Sequence, residues 1–402
     1  MDATFHFLCI SCEFKGVEFI KSCHTEGHRI WLLTAEDLRN EPWPREILED
    51  IFFLPEIQHG QWPMEALIAG TAWLLRHHRI DRIIALDDFD VEEAAELREY
   101  FRIPGMGQTT ARYFRDKLAM RMKAAEAGLL VPPFSALFHD ADVDAFIRQH
   151  SPPWVVKPRS DASAKGIRKV HTAQALWQVL EELGEARHRF LVEQFKPGQV
   201  YHVDALSQNG QVIFATAAQY LSPPFDVAHA GGIFRSMVLP HNSPESVSLK
   251  EFNKRVLRAF GMQFSASHTE FIHCKEDGQW YFLETSARVG GAHLAEMIEA
   301  ATGINMWREW ARLESAVVRG QDYHLPPVKH HCAGIIVSLA RQAQPNTSEL
   351  NAPEVAWRLE KPWHIGLIVA SPSPQRVRQL LDTYTQHIAQ KWAAHTPPPP
   401  HE

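Results

Sequence analysis

Apolar runs of four to six residues alternate with helical periods through the first hundred residues, which predicts a small α/β unit. The run FHFLCI after Thr4 reads as a buried strand, a helix follows, and RIWLLT at Arg29–Thr34 is a second strand. A helical pattern at Met64–His78 leads into RIIAL at Arg82–Leu86, and another helix spans Val91–Tyr100. Strands alternating with helices predict a parallel sheet, here ending near Gly107. A helix is then predicted over Thr109–Ala127, stopped by Gly128 and by Pro132–Pro133 beyond it.

From Pro152 the pattern changes to α+β. PPWVVKP, the polar loop RSDASAKG at Arg159–Gly166, a helix at Ala173–Leu183 and the strand RFLVEQF at Arg189–Phe195 form one compact group. Strands at Gln199–Ser207 and Gln211–Tyr220 flank a hairpin turn, and Ala266–Cys274 and Gln279–Glu284 form a second hairpin across KEDG. Between them lie the loop Leu221–Gly232 and a helix at Ser246–Phe260. A helix from about Gly291 to Ala301 follows, then strands at Ala333–Leu339 and Trp363–Ala370 and a closing helix at Pro374–Lys391. The expected division is an α/β domain over 1–107, a core over 108–325 with a lid near 134–192, an α+β piece over 326–392, and a disordered proline-rich tail over 393–402.

Composition narrows the function classes. With 402 residues the chain exceeds the roughly 250–300 over which one core grows, so several domains are expected. A net charge of −7 without a basic run disfavours nucleic acid, whose binding needs clustered Lys and Arg. No apolar stretch approaches 18 residues and the first ten residues lack a secretory pattern, so the expected location is the cytoplasm. Cys9, Cys12, Cys23 and His24 have a spacing that zinc would accept, but a small buried hydrophobe is the commoner use of cysteine. The pair His330 and His331 reads as surface decoration.

Two acids carry the sharpest chemical signal. Glu270 lies inside the strand HTEFI, and Glu284 ends the next strand in YFLETSARVGG. Carboxylates facing each other on adjacent strands repel unless a cation lies between them, and magnesium favours such oxygen ligands. Arg288 follows four residues after Glu284, where it would meet a phosphoryl group or, equally, pair with the glutamate at a strand end. Lys117 in RDKLAMR and Lys157 in WVVKP suit polyphosphate, since a lysine within a buried strand requires an anion. Glu193 in VEQF precedes Gly198 on an extended segment whose backbone N–H and C=O groups could meet a flat base, or simply form an edge strand. The acidic cluster Asp87, Asp88 and Asp90 ends a strand, as a ligand site or as a solvated turn and helix N-terminus.

In this order the residues resemble the ATP-grasp superfamily, particularly biotin-carboxylase-like and L-amino-acid-ligase-like members. The resemblance runs from Thr4 to Lys391 and is densest over DRIIALDDFDVEEAAELREYFRIPGMGQTTARYFRDKLAMRMKAAEAGLLVPP. It implies a preATP-grasp α/β domain, two α+β subdomains gripping ATP and a small C-terminal piece. It implies that Lys117 and Lys157 contact phosphates under a mobile cover at Ser160–Gly166, including Ser163 and Gly166. Glu193, Gln194 and Phe195 would hold adenine, Asp204 would sit near the ribose, and Glu270 and Glu284 would hold magnesium or manganese. Arg288 would steady an acyl phosphate.

Three departures refine the resemblance. The usual third metal ligand, an asparagine two residues after the second Glu, is Ser286 here, and the cover loop is poor in glycine. Biotin carboxylases resemble R-V-Q-V-E-H at the arginine, whereas this chain reads Arg288-Val289-Gly290-Gly291-Ala292-His293. Without that glutamate, bicarbonate has no proton acceptor, so carboxylation is disfavoured. The remaining expectation is an ADP-forming ligase that activates a small carboxylic acid and couples it to an amine. Gly290 and Gly291 would admit the acid, His293 would be an acid–base group or a helix-end residue, and His229, Gly231, Gly232 and Arg235 would line a second substrate site, Arg235 clamping a carboxylate. An ATP-dependent phosphotransferase and a nucleotide-binding regulator are the competing readings. Related folds often pair as homodimers, though no stretch of this sequence marks an interface.

Overall fold

The computed structural model describes residues 4–160, 166–222 and 232–394. The expected cover-loop residue Ser163, the substrate residues His229 and Gly231, and residues 395–402 of the expected tail lie outside the described residues. Ala393 and Ala394, expected to be disordered with the tail, are held by a bridge to Ala340 and a hydrogen bond to the Leu339 carbonyl.

Four parallel strands, β1 (His6–Ser11), β2 (Arg29–Ala35), β3 (Asp50–Leu54) and β4 (Arg82–Ala85), stand in the order β3-β2-β1-β4. Strand β1 shows why the run reads as continuously apolar. Leu8 and Ile10 face one core cluster, while Phe7 and Cys9 face another beneath the helices Val17–Thr25 and Met306–Arg319. A parallel sheet covered on both faces needs apolar residues at every position. Strand β3 escapes the pattern because its residues are exposed or half-buried on the sheet edge. The five cysteines are all buried and free, and among the described residues none belongs to a metal-like cluster, so the zinc spacing has no three-dimensional counterpart.

A second, antiparallel sheet joins β5 (Phe134–Ala136), β6 (Trp154–Pro158), β7 (Arg168–Val170) and β8 (Phe190–Gln194) in the order β5-β8-β6-β7. Helices Asp140–Gln149 and Ala173–Leu183 cover it, and Val143, Phe146, Trp154, Val156, Leu176 and Leu180 form its own core.

The third sheet is the largest. Strands β9 (Gly198–Gln208), β10 (Gln211–Tyr220), β11 (Phe234–Val238), β12 (Ser265–Cys274), β13 (Trp280–Ser286), β14 (Cys332–Leu339), β15 (Val355–Arg358) and β16 (His364–Ser371) stand in the order β13-β12-β9-β10-β11-β14-β16-β15. Asn209 and Gly210, with φ of 51° and 72°, make the tight β9–β10 turn, since two left-handed residues match the strand twist. The C-terminal strands extend this sheet through β11–β14 pairing, and the helix Pro374–Lys391 packs Val377, Leu381 and Ile388 against them. Among the described residues no helix is long and apolar enough to cross a membrane.

One helix departs from the sequence pattern. The expected Thr109–Ala127 helix is two helices, Gln108–Arg112 and Lys117–Glu126. Asp116 breaks the run because its carboxylate accepts from the amides of Leu118 and Ala119, capping a new helix start. Lys117 is therefore the first residue of a helix instead of one of its middle turns.

His28 joins the parallel sheet to the helix Met306–Arg319. The Phe5 amide donates to its Nδ1 at 3.3 Å, and its Nε2 lies 2.6 Å from Ser315 Oγ. Burial, with Arg319 nearby, lowers its pKa to about 4. A proton added to Nδ1 would face the amide donor. Between about pH 6.5 and 4 the unfolded chain binds more protons at this site, so acid weakens the fold there. In urea titrations across that range, His28→Gln should lose less stability than the parent chain as pH falls.

Candidate active site

Strand register gathers the polar side chains on one face of the large sheet. Glu270 on β12 lies opposite Glu284 on β13, and His268 lies opposite Ser286. Across the other edge of β12, Glu270 meets His202 and His268 meets Asp204 of β9. Positions two apart share a face, so six polar residues cluster in strands otherwise rich in buried apolar ones. The intervening Thr269 and Thr285 point to the opposite face, where their hydroxyls stand 2.7 Å apart.

Cations compensate these acids. Lys117 Nζ lies 3.1 Å from Glu284 Oε2, placed there by the helix start that Asp116 caps. Asp116 also accepts from Arg159 Nε at 3.0 Å, tying this helix to the end of β6. Lys157 Nζ lies 2.7 Å from Glu193 Oε2, and Arg121 Nε lies 2.6 Å from Glu193 Oε1. Arg121 is completely buried, with its guanidinium 5.6 Å from the Phe282 ring centre. One carboxylate thus sits between two cations. Burial opposes ionisation of Glu193 and Glu284, but the neighbouring cations prevail and hold both below the ordinary carboxylate range. Burial lowers the Lys157 pKa, with Glu193 pulling the other way.

The acidic end of β4 lies beside the same group of side chains, Asp88 being near Ser286 and Glu284, and together they line the candidate cleft. Arg288 pairs with Asp88, and its Nη1 donates to the Val289 carbonyl at 2.8 Å. Burial favours the neutral Asp88 carboxyl, yet Arg288 holds its pKa down at about 2, assisted by Arg115 and Ser286. Asp87 pairs with Lys15, while Asp90 accepts from Trp62 Nε1 at 2.8 Å and from the Cys12 amide at 3.1 Å. The three aspartates are buried, which excludes the solvated-turn reading.

Several expected roles change. Asp204, expected near a ribose, is 1% exposed and has both oxygens paired, with Oδ2 2.7 Å from His202 Nδ1 and Oδ1 2.9 Å from His268 Nδ1. Burial disfavours the His268 charge, but Asp204 pushes its pKa up to about 10. The amides of Gln194 and Phe195 donate to the carbonyls of Pro133 and Pro153, so neither N–H is open to a base. Arg235, expected to clamp a carboxylate, is engaged within the protein: its Nη1 lies 3.1 Å from Asp382 Oδ1 and its Nη2 donates to the Leu221 carbonyl, fastening β11 to the last helix. His293 precedes the helix Leu294–Thr302 with φ of 60°, stacks on Trp357 at 4.7 Å and lies 3.3 Å from Glu296 Oε1. Gly290 packs so closely that an added Cβ would stand 2.7 Å from Asp204 Oδ1 and 2.9 Å from His268 Nδ1, whereas Gly291 faces open space. Gly166 has φ of 68° at the return into β7, and Gly232 starts the approach to β11.

Arg121, His202, Tyr220 and His268 were missed by sequence reasoning. The usable signal was alternation of charged or polar residues inside apolar strands, in YHVDAL and SHTEF.

Residues 150–296 match the model of the ATP-grasp domain family. Over this stretch the chain is similar to ATP-grasp domains. Among curated proteins it is 26% identical over 262 residues to an L-arginine-specific L-amino acid ligase of Bacillus subtilis, covering 64% of this chain and 62% of that ligase. It is also 26% identical over 224 residues to a D-alanine–D-alanine ligase of Neisseria gonorrhoeae, covering 54% and 72%. The ATP-grasp fold extends beyond the matched domain. An L-amino acid ligase from Bacillus licheniformis superposes with a TM-score of 0.74 at 18% identity over 99% of both chains. An ADP complex of N5-carboxyaminoimidazole synthetase from Staphylococcus aureus gives 0.70 at 17% identity, over 95% and 97%.

Removing Glu193 would leave Arg121 and Lys157 buried without their shared counter-charge. Glu193→Gln should lower stability by about 3 kcal/mol, read as a reduced urea midpoint with an unchanged slope.

Proposed function

We propose that this chain is an ATP-dependent ligase that joins a small carboxylic acid to an amine, releasing ADP and phosphate. The observation that carries the reading is the convergence of Lys117, Lys157, Glu193, Glu270 and Glu284 on one cleft, with Arg288 and Asp88 at its wall. Similarity to two amino acid ligases supports amide formation as the reaction.

Glu270 and Glu284 fit a divalent cation, being two carboxylates at opposed register positions with a hydroxyl, Ser286, two residues on. Bound magnesium or manganese would neutralise phosphate oxygens. The protein supplies the rest of the charge. Lys117 and Lys157 attract the polyphosphate and, on meeting it, exchange part of their pairing with Glu284 and Glu193 for phosphate oxygens. The acid's carboxylate oxygen attacks the γ-phosphorus as the bond to ADP breaks, giving an acyl phosphate. The amine nitrogen then attacks the acyl carbon, phosphate leaves, and the nitrogen loses its proton. Arg288, anchored by Asp88, keeps its Nε without a hydrogen-bond partner among the described residues and would stabilise the charge developing on the acyl phosphate. Gly291 would admit the acid beside it. Positioning and charge neutralisation account for the catalysis.

The test is to incubate the protein with ATP, magnesium and pairs of carboxylic and amino acids, following ADP, phosphate and product mass. Phosphate release that requires both substrates, with an amide product, is expected. ADP accompanied by a stable phosphorylated product would identify a phosphotransferase instead. Glu284→Gln should abolish turnover while its circular dichroism spectrum stays that of the parent chain; full activity would refute the metal assignment.

A further inference from the structure

Among the described residues one cluster has the composition of a metal site: His202, Asp204 and His268, all buried. Its geometry is that of hydrogen bonding. Each imidazole nitrogen stands 2.7 or 2.9 Å from an Asp204 oxygen, whereas a nitrogen and an oxygen both about 2.0–2.2 Å from a tetrahedral zinc stand about 3.3 Å or more from each other. The Gly290 backbone also closes the space over Asp204 and His268.

The cluster continues in both directions. On one side, His202 Nε2 lies 2.8 Å from Ser236 Oγ, and Ser236 donates to the Gln219 carbonyl at 3.3 Å. On the other, His268 Nε2 lies 3.3 Å from the Tyr220 hydroxyl, and that hydroxyl donates to Glu270 Oε1 at 2.8 Å. His268 Nε2 is also 3.6 Å from the same Glu270 oxygen. A connected polar line therefore crosses strands β11, β9, β12 and β10 through the centre of the sheet and ends on one oxygen of Glu270. A buried line of this kind is stable only when each member has its partner.

We infer that Tyr220, backed by His268 and Asp204, is a positioning residue that pins Glu270 Oε1 and so presents Oε2 to the divalent cation. This rests on Glu270 being a metal ligand, as proposed above. Left alone, a glutamate has three side-chain torsions and a repelling neighbour in Glu284. The Tyr220 phenol is 6% exposed, its ring held against Phe234 and His202, so its hydroxyl has a defined direction. With one oxygen held, the carboxylate meets the cation already oriented, and losing such an outer partner typically weakens metal affinity ten- to a hundredfold.

Tyr220→Phe tests this, because it keeps the ring contacts and removes only the hydroxyl. Manganese is titrated by electron paramagnetic resonance into the parent chain, Y220F and Glu270→Gln, each with a non-hydrolysable ATP analogue. The expected result is a manganese Kd about tenfold weaker in Y220F and binding lost in E270Q, with ATP turnover of Y220F restored by excess manganese. A structural defect would not be repaired by metal. Equal manganese affinity in Y220F and the parent, with binding lost in E270Q, would overturn the inference while leaving the ligand assignment intact. Unchanged binding in E270Q would remove the ligand assignment, and the inference with it. Should Y220F fail to fold, His268→Asn removes the residue behind Tyr220 and carries the same expected weakening and the same refuting result.

Discussion

Everything in the cleft depends on keeping ionised carboxylates ionised inside a mostly apolar interior. Glu193 is buried, yet it remains an anion because Arg121 and Lys157 grip one oxygen each. The same rule governs Glu284 with Lys117, and Asp88 with Arg288. Each pairing joins different elements: β8 to β6 and the helix Lys117–Glu126, β13 to that helix, and the end of β4 to the segment after β13. Charge compensation therefore also connects the three sheets. An anion entering this cleft meets cations that are already desolvated and oriented, the condition under which electrostatic attraction is strongest.

The large sheet provides geometry that loops could not. Its strand period sets Glu270, His268, Glu284 and Ser286 on one face, and the β9 pairing adds His202 and Asp204. Apolar clusters lie above and below, so these groups are fixed by the same packing that stabilises the fold. Arg235 illustrates the contrast. At the base of a long connection it fastens β11 to the last helix through Asp382, a structural use of a residue type often found holding substrates.

Much of this was legible in the chain itself. The βαβ alternation, both hairpins, the paired glutamates and the two lysines follow from local periodicity and from the high free-energy penalty of an apolar strand interrupted by charge. The division into two helices at Asp116 was not, because helical periodicity continues through the break and only the cap geometry reveals it. Asp204 was assigned to a ribose through the resemblance; its partner His202 stands two residues away on the same strand, but His268 lies on β12, whose register with β9 no local pattern specifies.

By itself the sequence determined many of the segments that become strands and helices, and which residue types could meet a polyphosphate and a hard cation. Only the tertiary structure decided who pairs with whom: Arg288 with Asp88 two hundred positions away, Arg121 with Glu193, and Tyr220 with Glu270. The reason is physical. Periodicity and capping act over a few residues and are written in local order, whereas the partner of a buried charge is selected by strand register and sheet order, which emerge when the whole core packs.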